Sequence, residues 1–204
     1  MNQVSVSQKT PKTERGRRTR NKLLEAAEIE FGEKGFHEAG ISGITYRAGV
    51  ALGTFYNYFE SKEEIFRALV RFMSRRTRKR VSQRVANAPD RLSAERMGIE
   101  AYIEFAREHK SIYRIISEAE FVAPEEYRNH YEGFAQAYQA NLEKAAQNAE
   151  IRTGDYEVWS WSIMGITVFL GMRYAEWDDN QSAAEIAEIV TDMIARGIAP
   201  EKKS

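Results

Sequence analysis

Residues 40–59, GISGITYRAGVALGTFYNYF, hold the side chains of this sequence whose types and spacing best suit a chemical task. Thr54, Tyr56, Asn57 and Tyr58 fall within five residues, and each carries a hydroxyl or amide that can bond to phosphate oxygens and base edges. Cations flank the stretch. Arg15, Arg17, Arg18 and Arg20 lie upstream, and Lys62 lies downstream at a helix start, where backbone N–H groups attract phosphate. This chemistry is polyanion binding rather than catalysis. His37-Glu38 opens like a zinc-protease motif, but Ile41 stands where the second histidine belongs. Gly40-Ile41-Ser42-Gly43 is one residue short of a nucleophile elbow and has no preceding strand. P-loop and dinucleotide fingerprints are missing, the three histidines are scattered, and cysteine is absent. No enzyme, metal or cofactor is expected.

The charge distribution agrees. The 204 residues balance 30 Lys+Arg against 30 Asp+Glu. Residues 1–84 nevertheless hold 18 basic and 9 acidic residues, a net +9, and residues 85–204 hold 12 and 21, a net −9. The basic part is expected to meet a polyanion and the acidic part is not. At 43% hydrophobic residues the chain is too apolar for disorder and too polar for a polytopic membrane protein. MNQVSVSQKTPKTERGRR has no continuous apolar core of the signal-peptide kind, so a reduced, cytoplasmic protein with no membrane partner is expected.

The elements that must position these residues read as helices throughout. Residues 1–16 lack periodicity and are expected to form a flexible basic arm. Leu23, Leu24, Ala27 and Phe31 recur at helical spacing until Gly32 and Gly35. Ile41, Ile44 and Ala48 give a short amphipathic helix, Gly49-Val50-Ala51 a turn, and a second short helix starts near Leu52: a helix-turn-helix. Ser61 and Glu64 form a capping box that opens a helix running to residue 84, rich in arginine from Arg75 on. Asp90, Pro124, Asp155 and the Ser182–Glu185 box mark further starts. Val158–Met172 is the most apolar run, but its 15 residues fall short of the roughly 20 needed to span a bilayer.

Residues 17–70 resemble the DNA-binding domain of the tetracycline-repressor (TetR) family of bacterial regulators. The resemblance rests on Leu24-x-x-Ala27 with Phe31, Gly35-Phe36, Ile44-x-x-x-Ala48-Gly49-Val50, and Gly53-Thr54-Phe55-Tyr56-x-Tyr58-Phe59-x-Ser61-Lys62. It implies an all-α chain: a three-helix helix-turn-helix domain over 17–62, a connecting helix over 63–84, and a helical effector-binding and dimerisation domain over 85–200. It also implies operator contacts from Arg17, Arg18, Ser42, Arg47, Leu52, Gly53, Thr54, Tyr56, Asn57 and Tyr58, with Lys62 on a phosphate and Phe31, Ile44, Val50, Phe55 and Phe59 in the core. This chain departs from the pattern at Gly40 and at Ala51-Leu52, where many relatives carry hydroxyls. Gly43 also sits inside a helix, where glycine costs about 1 kcal/mol relative to alanine.

Beyond residue 85 the residues suggest two roles. The helices at 155–177 and 182–197 carry more apolar surface than one bundle needs, with Gly165 and Gly171 allowing close approach, so a homodimer through 155–197 is expected. The aromatic density points to a cavity for a small apolar or aromatic effector, or an acyl-CoA type thioester. Its expected lining is Tyr102, Phe105, Arg114, Phe121, Tyr127, Tyr131, Phe134, Trp161, Met164 and Phe169, with Arg107, Arg128, His130 and Arg173 as further polar candidates. The expected function is a ligand-responsive repressor released from a pseudo-palindromic operator. The alternative is a non-sensing architectural or adaptor protein that holds DNA by charge alone, with a steep salt dependence.

Overall fold

The computed structural model describes residues 11–198; residues 1–10 of the expected arm and the last six of the chain lie outside the described residues. Helices α1 (Glu14–Glu38), α2 (Ile41–Ala48), α3 (Leu52–Tyr56) and α4 (Lys62–Val85) are followed by α5 (Arg91–Glu108), α6 (Ser111–Val122), α7 (Pro124–Gln147), α8 (Tyr156–Gly171) and α9 (Ala183–Ile198). Among the described residues there is no strand, and no helix is long and apolar enough to cross a membrane. Helix α1 starts earlier than expected. Thr13 Oγ1 accepts from the Gly16 amide at 3.1 Å, so residues 14–16 form its first turn rather than the end of an arm.

Short polar caps begin most of the other helices. Asp90 accepts from Ser93 N at 2.7 Å, Asp155 from Val158 N at 3.0 Å, and Pro124 occupies a first turn whose lost N–H costs nothing. Ser61 caps α4 as expected, accepting from Glu64 N at 3.2 Å. Glu64, however, reaches back to the amide of Glu60, one residue earlier than a capping box places it. After Gly171 the helix widens into a π-helical segment, Met172–Trp177, which replaces the single continuous helix expected over 155–177.

Two groups of buried side chains hold the chain together, and they do not divide at residue 62 or 85. The first joins Leu23, Leu24 and Phe31 of α1 to Ile44, Phe55 and Phe59, to Ile65–Met73 of α4, and to Phe105, Ile112, Ile115 and Ile116 of α5 and α6. The second unites Ile99, Ile103, Leu142, Ile163, Ile186 and Val190 from α5, α7, α8 and α9. Helix α4 runs through both ends: its first half is core to α1–α3, and its second half packs on α5 and α7.

Candidate nucleic-acid interface and effector cavity

The turn between α2 and α3 depends on Gly49. Its φ of 64° lies in the left-handed region that costs other residues energy, and its N–H closes α2 on the carbonyls of Thr45 and Tyr46. Helix α3 has only five residues and is held from below by Phe55 and Phe59, both buried, with ring centroids 5.7 Å apart. The opposite face therefore looks outward. Leu52 (52% exposed), Gly53, Tyr56 and Asn57 are exposed, and Thr54 and Tyr58 are half-buried beside them. A Cβ added at Gly53 would meet nothing within 4 Å, so neither packing nor backbone strain inside the chain demands glycine there. Ser42 is exposed on α2, and so is Tyr46, which at 87% is the most open large side chain of the motif and was not among the expected contacts.

Helix α2 is fastened to α1 by a buried carboxylate. Glu30 is 1% exposed and accepts from Lys34 Nζ at 2.8 Å, Arg47 Nε at 2.8 Å and Gly40 N at 3.5 Å. Burial alone would raise its pKa, but the bonds from Lys34, Arg47 and Gly40 outweigh burial and hold it below the usual carboxylate value. Gly43 has its explanation here, because a Cβ would lie 2.5 Å from Glu30 Cδ. The apparent cost of glycine inside α2 is the room that Glu30 needs.

Two of the cations expected at the operator have partners within the chain. Arg47 is spent on Glu30 and Glu33. Lys62 Nζ donates to His37 O at 3.1 Å and Ala39 O at 3.0 Å and lies over the Phe36 ring, closing the C-terminal end of α1. Both cations answer carbonyls or carboxylates that would otherwise be left without donors at the α1–α2 corner. Arg17 and Arg18 are different. They pair with Glu14 at 2.8 and 3.3 Å on an open surface, where such pairs are worth little and exchange readily for phosphate.

A cavity of about 300 Å³ opens between α4, α5, α7 and α8. Its walls are mostly apolar, with Val81, Val85, Ile99, Tyr138 and Val168 prominent, and Lys79 and Ser82 stand exposed at its edge. Arg78 and His130 supply polarity inside. Burial lowers the Arg78 guanidinium below its ordinary value, and among the described residues no carboxylate pairs with it. It lies over the Phe134 ring, 5.4 Å from the centroid, where the missing side chain of Gly133 leaves it space. Tyr102 lines the wall, its hydroxyl 3.2 Å from that of Tyr113, which in turn reaches Val168 O at 3.1 Å.

Of the ten residues expected around an effector, the structure brings Tyr102, Tyr131, Phe134 and Met164 together at this cavity. The other six lie elsewhere. Phe105 is buried in the core around α1. Arg114 donates to the carbonyls of Gly32 and Glu33 at 3.1 and 2.9 Å, and Tyr127 stacks edge-on against Tyr131 away from the cavity. Phe121, Trp161 and Phe169 face outward. Helical spacing identifies a shared face but not the neighbour that covers it. Among the further polar candidates His130 lines the cavity, whereas Arg107 bonds the carbonyls of Tyr174 and Gln181 and Arg173 pairs with Asp178. Arg78, Lys79 and Ser82 were missed, although Arg71, Ser74, Arg78 and Ser82 form a polar strip at helical spacing along α4.

Gly171 also takes a role other than the one expected. A Cβ there would lie 2.7 Å from Tyr102 Cε1, so it serves the chain's own packing, whereas at Gly165 nothing lies within 4 Å. Val158 and Phe169 of α8 and Ile189 and Met193 of α9 are all exposed.

The family model of the bacterial regulatory proteins of the tetR family matches residues 23–69, which run from the α1 core through α3 into α4. Among curated proteins, an uncharacterized HTH-type transcriptional regulator of Bacillus subtilis, YdgC, is 29% identical over 197 residues, covering 92% of this chain and 96% of its own. Two solved structures share the fold. The regulator FadR from Bacillus subtilis in complex with stearoyl-CoA has a TM-score of 0.75 at 20% identity, covering 87% of this chain and 98% of its own. AibR in complex with isovaleryl coenzyme A and operator DNA has a TM-score of 0.68 at 17% identity, covering 86% and 97%. The matched stretch is the same one in which Gly49 turns the chain and Phe55 and Phe59 present α3 outward, so over residues 23–69 the chain is similar to the bacterial regulatory proteins of the tetR family.

Proposed function

We propose that this regulator is a dimer that releases a pseudo-palindromic operator when an acyl-CoA type effector enters the cavity between α4 and α7. The observation that carries the reading is α4 itself: one unbroken helix whose Ile65–Met73 are core to the DNA-binding helices and whose Arg78, Val81 and Val85 line the cavity. Arg78, with no carboxylate partner among the described residues, and exposed Lys79 suit the anionic part of a CoA ester, and the apolar wall suits an acyl chain. The likeness to regulators solved with stearoyl-CoA and isovaleryl coenzyme A supports this class.

On this reading α3 reads bases from Leu52, Thr54, Tyr56 and Asn57, with Tyr46, Tyr58, Arg17 and Arg18 on the flanking backbone and Gly53 giving clearance against the DNA. The apolar faces of α8 and α9, which carry Phe169 and Ile189, meet their copies in the partner. The two α3 helices must then stand roughly 34 Å apart to enter successive major grooves. An effector that separates α4 from α7 changes that spacing and weakens DNA binding by favouring the changed form. The shift reaches α1 through α6, where Arg114 holds the carbonyls of Gly32 and Glu33 and Glu118 accepts from Phe36 N at 2.8 Å. It also passes through Glu28 of α1, Arg76 of α4 and His109 at the end of α5, which bond one another.

The test is selection of duplexes from a randomised library, followed by fluorescence anisotropy on the recovered motif with saturated acyl-CoAs of increasing length. A palindromic motif and release by one range of chain lengths are expected. Recovery of no motif would overturn the operator reading, and a motif indifferent to every CoA ester would overturn the effector reading.

A further inference from the structure

One acceptor at the cavity has no donor among the described residues. His130 on α7 is 8% exposed, lines the cavity, and stands edge-on to Tyr131 and Phe134 with ring centroids 4.8 and 5.3 Å away. Its Nδ1 lies 2.6 Å from Ser74 Oγ, and that oxygen lies 2.7 Å from Val70 O in the preceding turn of α4. A hydroxyl has one hydrogen to give. The carbonyl only accepts, so the Ser74 hydrogen goes to Val70 O and the imidazole must supply the hydrogen of the other contact. His130 therefore carries its proton on Nδ1, and Nε2, on the opposite edge of the ring, is a bare lone pair.

The ring stays neutral. Burial first, and the charge of Arg78 second, push the His130 pKa down to about 4. Among the described residues nothing donates to Nε2. A lone pair open to the cavity, with no donor among the described residues, is a place for a ligand to donate.

Resting on the acyl-CoA reading above, we infer that the effector is a 3-hydroxyacyl thioester whose hydroxyl donates to His130 Nε2 while its thioester carbonyl accepts from Arg78. The placement follows from α7. Gly133, three residues along from His130, is where the Arg78 guanidinium rests, its Nη1 3.0 Å from the position a Cβ would take. An acceptor and a donor two carbons apart on one chain suit two such groups side by side. The polar arm and phosphates of the CoA moiety stay at the rim with Lys79 and Ser82, and the hydrocarbon beyond the hydroxyl lies among Val85, Ile99 and Val168.

Calorimetric titration of the full-length protein with unsubstituted, 3-hydroxy and 3-oxo acyl-CoAs of one chain length tests this. The hydroxy ester is expected to bind about tenfold more tightly than either of the others, the net worth of about one hydrogen bond. His130→Phe should abolish the preference for the hydroxy ester over the unsubstituted one. Ser74→Ala, a smaller change that frees the tautomer, should shrink the preference. Equal binding of the hydroxy and unsubstituted esters overturns the inference and leaves the acyl-CoA reading standing. Binding of the oxo ester as tight as the hydroxy ester overturns it too, because Nε2 would then carry the hydrogen. If no CoA ester binds, both fall together. A nitrogen-15 spectrum of the ligand-free imidazole reads the tautomer independently, and a protonated Nε2 overturns the inference whatever binds.

Discussion

Gly43→Ala should destabilise this protein, against the usual effect of that exchange in a helix. Alanine in place of glycine ordinarily gains about 1 kcal/mol in a helix interior. At Gly43 the new methyl would sit 2.5 Å from Glu30 Cδ, so the carboxylate must move or α2 must lift. Moving it breaks the bonds to Lys34 and Arg47, whereas lifting α2 opens the seam over Ile44. Loss of a buried pair costs about 3–5 kcal/mol, and here the low end applies because Lys34 and Arg47 keep part of their hydration. Set against the propensity gain, the net loss is about 2 kcal/mol, which for a chain of this size lowers Tm by roughly 4–8 °C. Thermal melts by circular dichroism at fixed protein concentration measure it. The double variant Glu30→Ala/Gly43→Ala should lose less than the sum of the two single changes, since the methyl then fills the space the carboxylate left. A Gly43→Ala protein that melts at or above the parent temperature would refute the role assigned to Glu30.

The same exchange at Gly53 meets open space, so Gly53→Ala should melt within about 0.5 kcal/mol of the parent yet bind the selected operator at least tenfold more weakly in anisotropy. Tyr46→Ala should weaken operator binding without moving Tm, whereas Arg47→Ala should lower Tm by several degrees because it strips Glu30 of a partner. Phe169→Glu with Ile189→Glu should shift the protein to monomer in sedimentation velocity at micromolar concentration, and an unchanged dimer would place the interface elsewhere. His130 sets a pH dependence. Its folded pKa of about 4 lies below the ordinary 6.5, so the unfolded chain takes up the proton first as pH falls. Its contribution is complete above about pH 6.5 and drains away towards pH 4, on the order of 3 kcal/mol in all, and His130→Phe should flatten that part of the stability profile.

The reading from sequence went furthest where the signal is local. Gly49 needs a left-handed φ, Asp90 and Asp155 cap the helices that follow them, and Phe55 on a short helix and Phe59 just beyond it lie four apart and pack together. Each depends on neighbours within one or two turns, so the order along the chain suffices. It stopped short where a side chain's partner lies far off in sequence. Arg47 reads only as an operator contact, and its bond to Glu30, 17 residues earlier, is not visible in the order of residues. Lys62 reads as a phosphate ligand, and its bonds to the carbonyls of His37 and Ala39 are equally hidden. The aromatic residues of α5 to α8 share one periodicity, yet Phe105 is core, Phe134 is cavity wall and Phe169 is surface, because neighbouring helices decide which face is covered.

What the sequence by itself determined is the all-α architecture and the outward-facing tyrosines and asparagine around α3, because propensity, capping and turn chemistry act over a few residues. Only the tertiary structure decided which cations remain for a ligand, why Gly43 is glycine, and where the cavity lies. Charge neutralisation and burial are settled between residues tens of positions apart, and it is the packing of α4 against α1, α5 and α7 that brings them within a few ångströms.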